Sequence, residues 1–318
     1  MYPIKLNPVF KEIVWGGERL KSDYGYESDL KNIAEAWVLT ARNDGDNIVK
    51  NGQFSGESFT ELIKNNPQFL GKKGEKYNEF PLLIKFIDAK SDLSIQVHPD
   101  DDYARVHENS LGKTEAWYIL DCSDDAELIY GFNKEISKEE FEKSIKDNSF
   151  LNHVNKVNVK KGDIFFIEAG TLHAIGSGIL LAEVQQNCNT TYRVYDYGRL
   201  VDGKPRELHI KKALDVTNTL PPVRSAEAES EKEVIGDAEV QKLCSCEFFT
   251  MTSLKLNGKY EYNCDENSFL SVLILDGKGS ITAGNTTVSV KKGDSIFIPA
   301  NSGNVVLSGE FNALLSTL

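Results

Sequence analysis

Lys160-Lys161-Gly162-Asp163-Ile164-Phe165-Phe166-Ile167-Glu168-Ala169 returns near the end of the chain as Lys291-Lys292-Gly293-Asp294-Ser295-Ile296-Phe297-Ile298-Pro299-Ala300, identical at seven of ten positions. In each copy a Gly-Asp pair, a turn signal, feeds an apolar run of strand length. Upstream, Trp117-Tyr118-Ile119-Leu120-Asp121 has a counterpart in Val272-Leu273-Ile274-Leu275-Asp276. The repeat predicts two related β units in one chain of 318 residues. The remaining segments agree. Glu35 to Thr40, Leu82 to Asp88 and Leu270 to Leu275 are short, β-rich and separated by Gly, Asn and Asp. That pattern predicts a mainly β fold of two jelly-roll barrels with few helices. Helices are expected at Ser58–Phe69, Ser137–Asn148 and Arg206–Val216. The first two open on a serine with glutamate three residues on, Glu61 and Glu140, the capping-box arrangement. The second, within about 134–150, reads as an insertion that widens the spacing of the first unit. Residues 221–238 are polar and acidic and read as a linker. The expected domains are therefore 1–220 and 239–318.

The first unit carries the chemistry. In Ser94-Ile95-Gln96-Val97-His98-Pro99, Gln96 and His98 stand two apart, so a strand points both to one face. Glu115 opens the next apolar run, and His173 follows Phe165-Phe166-Ile167 and the turn-like Ala169-Gly170-Thr171. Two imidazoles, a carboxylate and an amide oxygen suit a divalent ion of the Zn, Fe(II), Mn or Co type with an open position. Singly, each residue has an ordinary reading as a core or surface side chain; together, the metal reading stands level with the ordinary one. Of the five histidines, His107 is expected in a polar loop, His153 beside asparagines and His209 on a surface helix. In the second unit the repeat sets Asn304 against His173 and Leu270 against Glu115, so it is expected to keep the scaffold and lack the ligands.

Composition narrows the partners. A net charge of −12 argues against nucleic acid, and an anionic substrate would need a local basic pocket. The N-terminal stretch has no signal-peptide core, and no apolar run reaches membrane-spanning length. The five scattered cysteines read as reduced thiols of a cytoplasmic protein; a monomer or a weak homodimer is the expected state.

A strand pair with a Gly-Asp turn, a following histidine and an upstream His/Glu set resembles the cupin superfamily. The likeness narrows at Pro81-Leu82-Leu83-Ile84-Lys85, Leu93 to Asp101, Gly112-Lys113-Thr114-Glu115-Ala116-Trp117, Ala169 to Ala174 and Tyr192-Arg193-Val194-Tyr195-Asp196-Tyr197-Gly198. With Pro8 to Gly17 and Glu35-Ala36-Trp37, these resemble type I mannose-6-phosphate isomerases, strongly over 1–215. The resemblance implies one zinc held by Gln96, His98, Glu115 and His173. It implies Arg193 over the site, Lys113 and Lys85 lining it, Glu183 as an acidic pocket residue and Trp15 at its mouth. One departure stands out: some members carry a histidine where this chain has Gly112, so no proton-transfer role falls there.

An aldose–ketose isomerisation moves a proton between C1 and C2 through an enediol(ate). Arg193 suits the oxyanion or phosphate, and Lys113 or Glu183 suits proton transfer. A buried lysine beside a metal is expected to have a lowered pKa. Lys113-Thr114 is not a phosphate-binding loop, because His107 stands where the leading glycine belongs. Competing readings are a non-haem iron oxygenase, which shares the two-His, one-carboxylate set, another metal-dependent sugar isomerase, and a sugar-binding cupin without turnover.

Overall fold

A computed structural model describes residues 1–147, 149–223 and 227–318. The first half is built from two antiparallel sheets. One has six strands in the order Ile164–Ile167, Glu115–Cys122, Ile179–Gln186, Leu82–Ala89, Glu35–Leu39 and Val9–Lys11. The other has five, ordered Val154–Asn158, Glu127–Phe132, His173–Ile175, Ile95–Val97 and Tyr192–Tyr195. Side chains from both meet in one apolar cluster that includes Trp117, Ile87, Phe165, Leu128 and Ile175.

The second half repeats the first strand for strand. Ser295–Ile298, Leu270–Ala283, Gly303–Thr317, Thr250–Cys264, Ala238–Ser245 and Glu233–Ile235 are hydrogen-bonded in that order within a nine-stranded sheet. Its three long strands bend at Gly258, Gly277 and Gly309, at φ of 139°, 83° and 133°. Only glycine enters that region without a Cβ penalty. Beyond the bends the strands pair again, together with Thr286–Lys291, in the order of four of the five strands of the five-stranded sheet; Tyr192–Tyr195 has no counterpart in that pairing. In the first half the same strands are broken into separate pieces.

The halves are joined along the sheets and through their backs. Ile4–Asn7 pairs with Ser295–Ile298, so the N-terminal strand completes the C-terminal sheet. Leu82, Ile84, Phe86 and Val184, on the outer face of the six-stranded sheet, share one cluster with Met251, Leu273, Phe297 and Leu314. That sheet is therefore covered on both faces. All eight residues of Leu82–Ala89 and of Ile179–Gln186 are buried, and alternation of apolar and polar residues gives way to near-continuous apolar runs.

Several sequence expectations change in detail. Ser58 and Ser137 are N-caps, accepting from the Glu61 and Glu140 N–H groups at 3.2 and 3.0 Å. The first helix ends at Asn65, because Pro67 starts a separate 3-10 turn. The second is Lys138–Lys146, and its expected end at Asn148 falls outside the described residues. The third is shorter, Ile210–Val216. His107 lies not in a loop but on an unforeseen helix, Asp101–His107, which Asp100 caps by accepting the Tyr103 N–H at 2.8 Å. Part of the supposed linker, Glu233–Ile235, is an edge strand, while its residues 224–226 fall outside the described residues. Asn304 does not occupy the interior place of His173: it is exposed, and its amide donates to Glu261 at 3.2 Å.

Candidate metal centre and active site

Two rows of side chains face each other across the first sandwich. In the six-stranded sheet Trp37, Lys85, Glu183 and Trp117 lie in register on adjacent strands, with Glu115 opposite Gln185 one step along. In the five-stranded sheet Tyr130, His173, Gln96 and Arg193 are in register. The pleat sends each row to one face, so the two rows converge between the layers. His98, just past the Ile95–Val97 strand, and Lys113, just before Glu115–Cys122, enter from the same end.

The histidine and glutamate ligand atoms of His98, Glu115 and His173 lie within 4.8 Å of one another, and all three residues are buried. His98 Nδ1 donates to the Thr190 carbonyl at 2.8 Å, and His173 Nδ1 donates to the Thr171 carbonyl at 2.9 Å. A carbonyl only accepts, so both rings carry their proton on Nδ1 and turn an Nε2 lone pair inward. Burial pushes His173 down to about 4 and, with Lys113 and His173 adding to it, holds His98 well below the usual histidine range. Both are therefore neutral donors. Glu115 takes no hydrogen bond from a neutral donor among the described residues, and a buried carboxylate in that state needs a cation beside it. The nearest one is Lys113, whose Nζ lies 2.7 Å from Glu115 Oε2 and 3.0 Å from His98 Nε2. The Gln96 amide is 3.4 Å from His173 Nε2, and its other end accepts from Ser94 Oγ at 3.2 Å. Its two ends exchange by a simple flip, so the carbonyl can equally face the histidines. The set fits a divalent ion.

Lys85 does not snorkel to the surface. Its Nζ is buried, 3.2 Å from Glu183 Oε1 and 3.4 Å from Glu35 Oε2. Each carboxylate takes a further hydrogen bond from an indole, Trp117 to Glu183 at 2.9 Å and Trp37 to Glu35 at 2.7 Å. Burial alone would lower the Lys85 pKa, but Glu183, Glu35 and Glu115 together outweigh it and raise it. Carboxylates surround this amine and favour its charged form. Glu183 moves up, through burial and then the charge of Glu115.

Arg193 is half-buried at the edge of this space. Its guanidinium donates to Ser94 Oγ at 3.2 Å and to the Glu207 carbonyl at 2.9 Å. Asp196, three residues on, pairs with Arg199 and Arg206. His209 backs Arg193, its Nδ1 accepting the Arg193 N–H at 3.2 Å. Trp15 differs from expectation: only 4% exposed, it packs in the apolar cluster with Trp117 rather than at an open mouth. Glu35 and Ser94 were not singled out from the sequence. Glu35 had a signal, a carboxylate leading an otherwise apolar strand; the Thr171 and Thr190 carbonyls, being backbone, had none.

Comparison with known proteins agrees with this architecture. The model of the phosphomannose isomerase type I catalytic domain matches residues 4–129, and that of the mannose-6-phosphate isomerase cupin domain matches residues 239–318. A mannose-6-phosphate isomerase of Bacillus subtilis is 40% identical over 319 residues, 99% of each chain. One from Streptococcus mutans is 36% identical over 317 residues, 99% of this chain and 97% of that one. The crystal structure of a Bacillus subtilis mannose 6-phosphate isomerase superposes with a TM-score of 0.93 at 36% identity, covering all of both chains. This chain belongs to the type I phosphomannose isomerase family.

Proposed function

We propose that the protein is a zinc-dependent aldose–ketose isomerase, holding one zinc per chain, that interconverts mannose 6-phosphate and fructose 6-phosphate through an enediol(ate). The observation that carries this reading is the convergence of two neutral histidine Nε2 atoms on the buried Glu115 carboxylate, in a space ringed by Lys85, Lys113 and Arg193. His98, His173, Glu115 and Gln96 would hold the ion, which when bound supplies Lewis-acid polarisation of a sugar oxygen.

The chain's own residues account for the rest. A proton must leave one carbon and return to its neighbour. Lys113 and Glu183 are the groups for that, with Nζ and Oε1 3.9 Å apart. The raised pKa of Glu183 moves it toward the range in which one carboxyl both accepts and returns a proton. Lys85 stays charged; it steadies Glu183 and offsets negative charge that develops on the substrate. Arg193, permanently cationic and beside Ser94, suits the enediolate or the phosphate. Gln96 as a fourth donor and the cationic surround favour zinc and a phosphosugar over a non-haem iron oxygenase. The five free cysteines accord with a cytoplasmic setting, and among the described residues no helix is long and apolar enough to cross a membrane.

The test is a coupled assay with mannose 6-phosphate before and after chelation. Activity should vanish with the metal and return with Zn²⁺. His98→Ala and His173→Ala should lose metal and turnover together. Full turnover by metal-free protein would sink the reading.

A further inference from the structure

The strand-for-strand repeat allows the second half to be compared with the active site at each register position. Leu270 pairs with Ile298 as Glu115 pairs with Ile167. Leu315 lies between Val272 and Thr252 as Glu183 lies between Trp117 and Lys85. Thr317 pairs with Thr250 as Gln185 pairs with Leu83. Thus Glu115, Glu183, Lys85 and Gln185 correspond to Leu270, Leu315, Thr252 and Thr317. All four of these line one cleft of about 370 Å³, a volume within the roughly 300–1,000 Å³ of small-molecule sites.

The second half has therefore kept a cavity where the first half keeps its chemistry, and has exchanged the charged groups for leucines and hydroxyls. Tyr260 and Tyr262 line the same cleft. Neither phenol, nor the hydroxyl of Thr252 or Thr317, has a hydrogen-bond partner among the described residues. Flat aromatic faces, free hydroxyls and aliphatic walls suit a ligand with both C–H faces and many hydroxyls. The rim disfavours a phosphate: Glu231 and Glu233 line it, and its Lys242 has the Glu229 carboxylate 3.7 Å away.

We propose that this cleft is a second, non-catalytic site that binds an uncharged monosaccharide. Isothermal titration of the full-length, zinc-loaded protein with D-mannose and with D-fructose tests it, in the presence of saturating phosphosugar that occupies the catalytic site. One saturable site per chain is expected, with an affinity on the order of millimolar for a ligand of this size. Thr252→Val and Tyr262→Phe, made separately, should each weaken it by about tenfold and leave isomerase kinetics unchanged. Thr317→Val provides a third probe should either variant fold poorly. Absence of saturable binding by either sugar would overturn the proposal. So would loss of binding when phosphosugar is added, or equal affinity in all three variants.

Discussion

Lys85 and Lys113 are enclosed with three carboxylates, Glu35, Glu115 and Glu183. With both imidazoles neutral, that group carries one negative charge in excess, which a divalent ion reverses to one positive, the sign a phosphosugar needs. Arg193 adds a positive charge at the edge that the buried carboxylates do not absorb. Arg193→Ala should lower kcat/KM by roughly 10²- to 10⁴-fold, as for removal of one transition-state group, with zinc content unchanged. Near-normal kinetics would remove Arg193 from the mechanism. The histidines set a pH dependence. His173 has a folded-state pKa of about 4 against an ordinary 6.5, so the unfolded chain takes up the proton first as pH falls. Stability of the metal-free protein should therefore be complete above about pH 6.5 and decline by roughly 1.4 kcal/mol per unit for this residue down to about pH 4. Urea melts across that window should show the decline, and His173→Gln should lessen it.

At the scale of elements, the loop before Glu115–Cys122 matters most, because it delivers Lys113. The Gln186 side chain accepts the Thr114 N–H at 2.9 Å and donates to Asp101 Oδ1 at 2.9 Å. The same Asp101 oxygen accepts the Gly112 N–H at 2.7 Å. Asp101 and Gln186 thus tie the Lys113 loop to the start of the Asp101–His107 helix and to the Ile179–Gln186 strand. Gly112 is glycine for a steric reason. A Cβ there would stand 2.5 Å from Asp100 C and Asp101 N, so the histidine of other family members does not fit this backbone. Gln186→Leu should lower kcat by more than it raises KM, with metal content intact, because it misplaces Lys113 without touching the ligands. Gly112→Ala should cost about 1–3 kcal/mol of stability through overpacking, measured by urea denaturation. A Gly112→Ala protein with wild-type stability and kinetics would show that the contact is easily relieved.

Across the whole molecule, the catalytic sheet is sandwiched between its own active site and the second half. Its outer face packs Phe80 and Phe86 into the cluster that holds Phe249 and Phe297, where each side chain contributes roughly 1.5–3 kcal/mol by burial. Phe297→Ala should therefore destabilise the whole chain by roughly 3–5 kcal/mol and unfold both halves in one transition. Removal of 239–318 should leave an aggregating first half, since it strips that face and the partner of the Ile4–Asn7 strand. A soluble, active 1–238 fragment would contradict this account.

The β class, the internal repeat, two of the helix starts and the His98/Glu115/His173 grouping were legible in the sequence, because each rests on local physics. Strand alternation, a Gly-Asp turn and a serine N-cap act within a few residues, and the His98, Glu115 and His173 set is visible once the strands and the turn are assigned. The Asp101–His107 helix was hidden because its acidic start, which caps it, also reads as loop. The domain edges were hidden because Ile4–Asn7 pairs with a strand at the other end of the chain, and hydrogen-bond partners far apart in sequence leave no periodic trace. What surrounds Lys85 was likewise undecided: its elevated pKa depends on Glu35, Glu115 and Glu183 from three other strands. Trp15 was placed at a mouth by resemblance and proved to be core by packing. Even the fate of Asn304 turned on which way a strand face points after a loop, a rotation of one residue that reverses inside and outside. Which groups are available, and which strands carry them, could be read along the chain; which charges are neutralised, which lone pairs turn inward and which cavity remains in the second half depend on the packed fold, because they follow from register and burial.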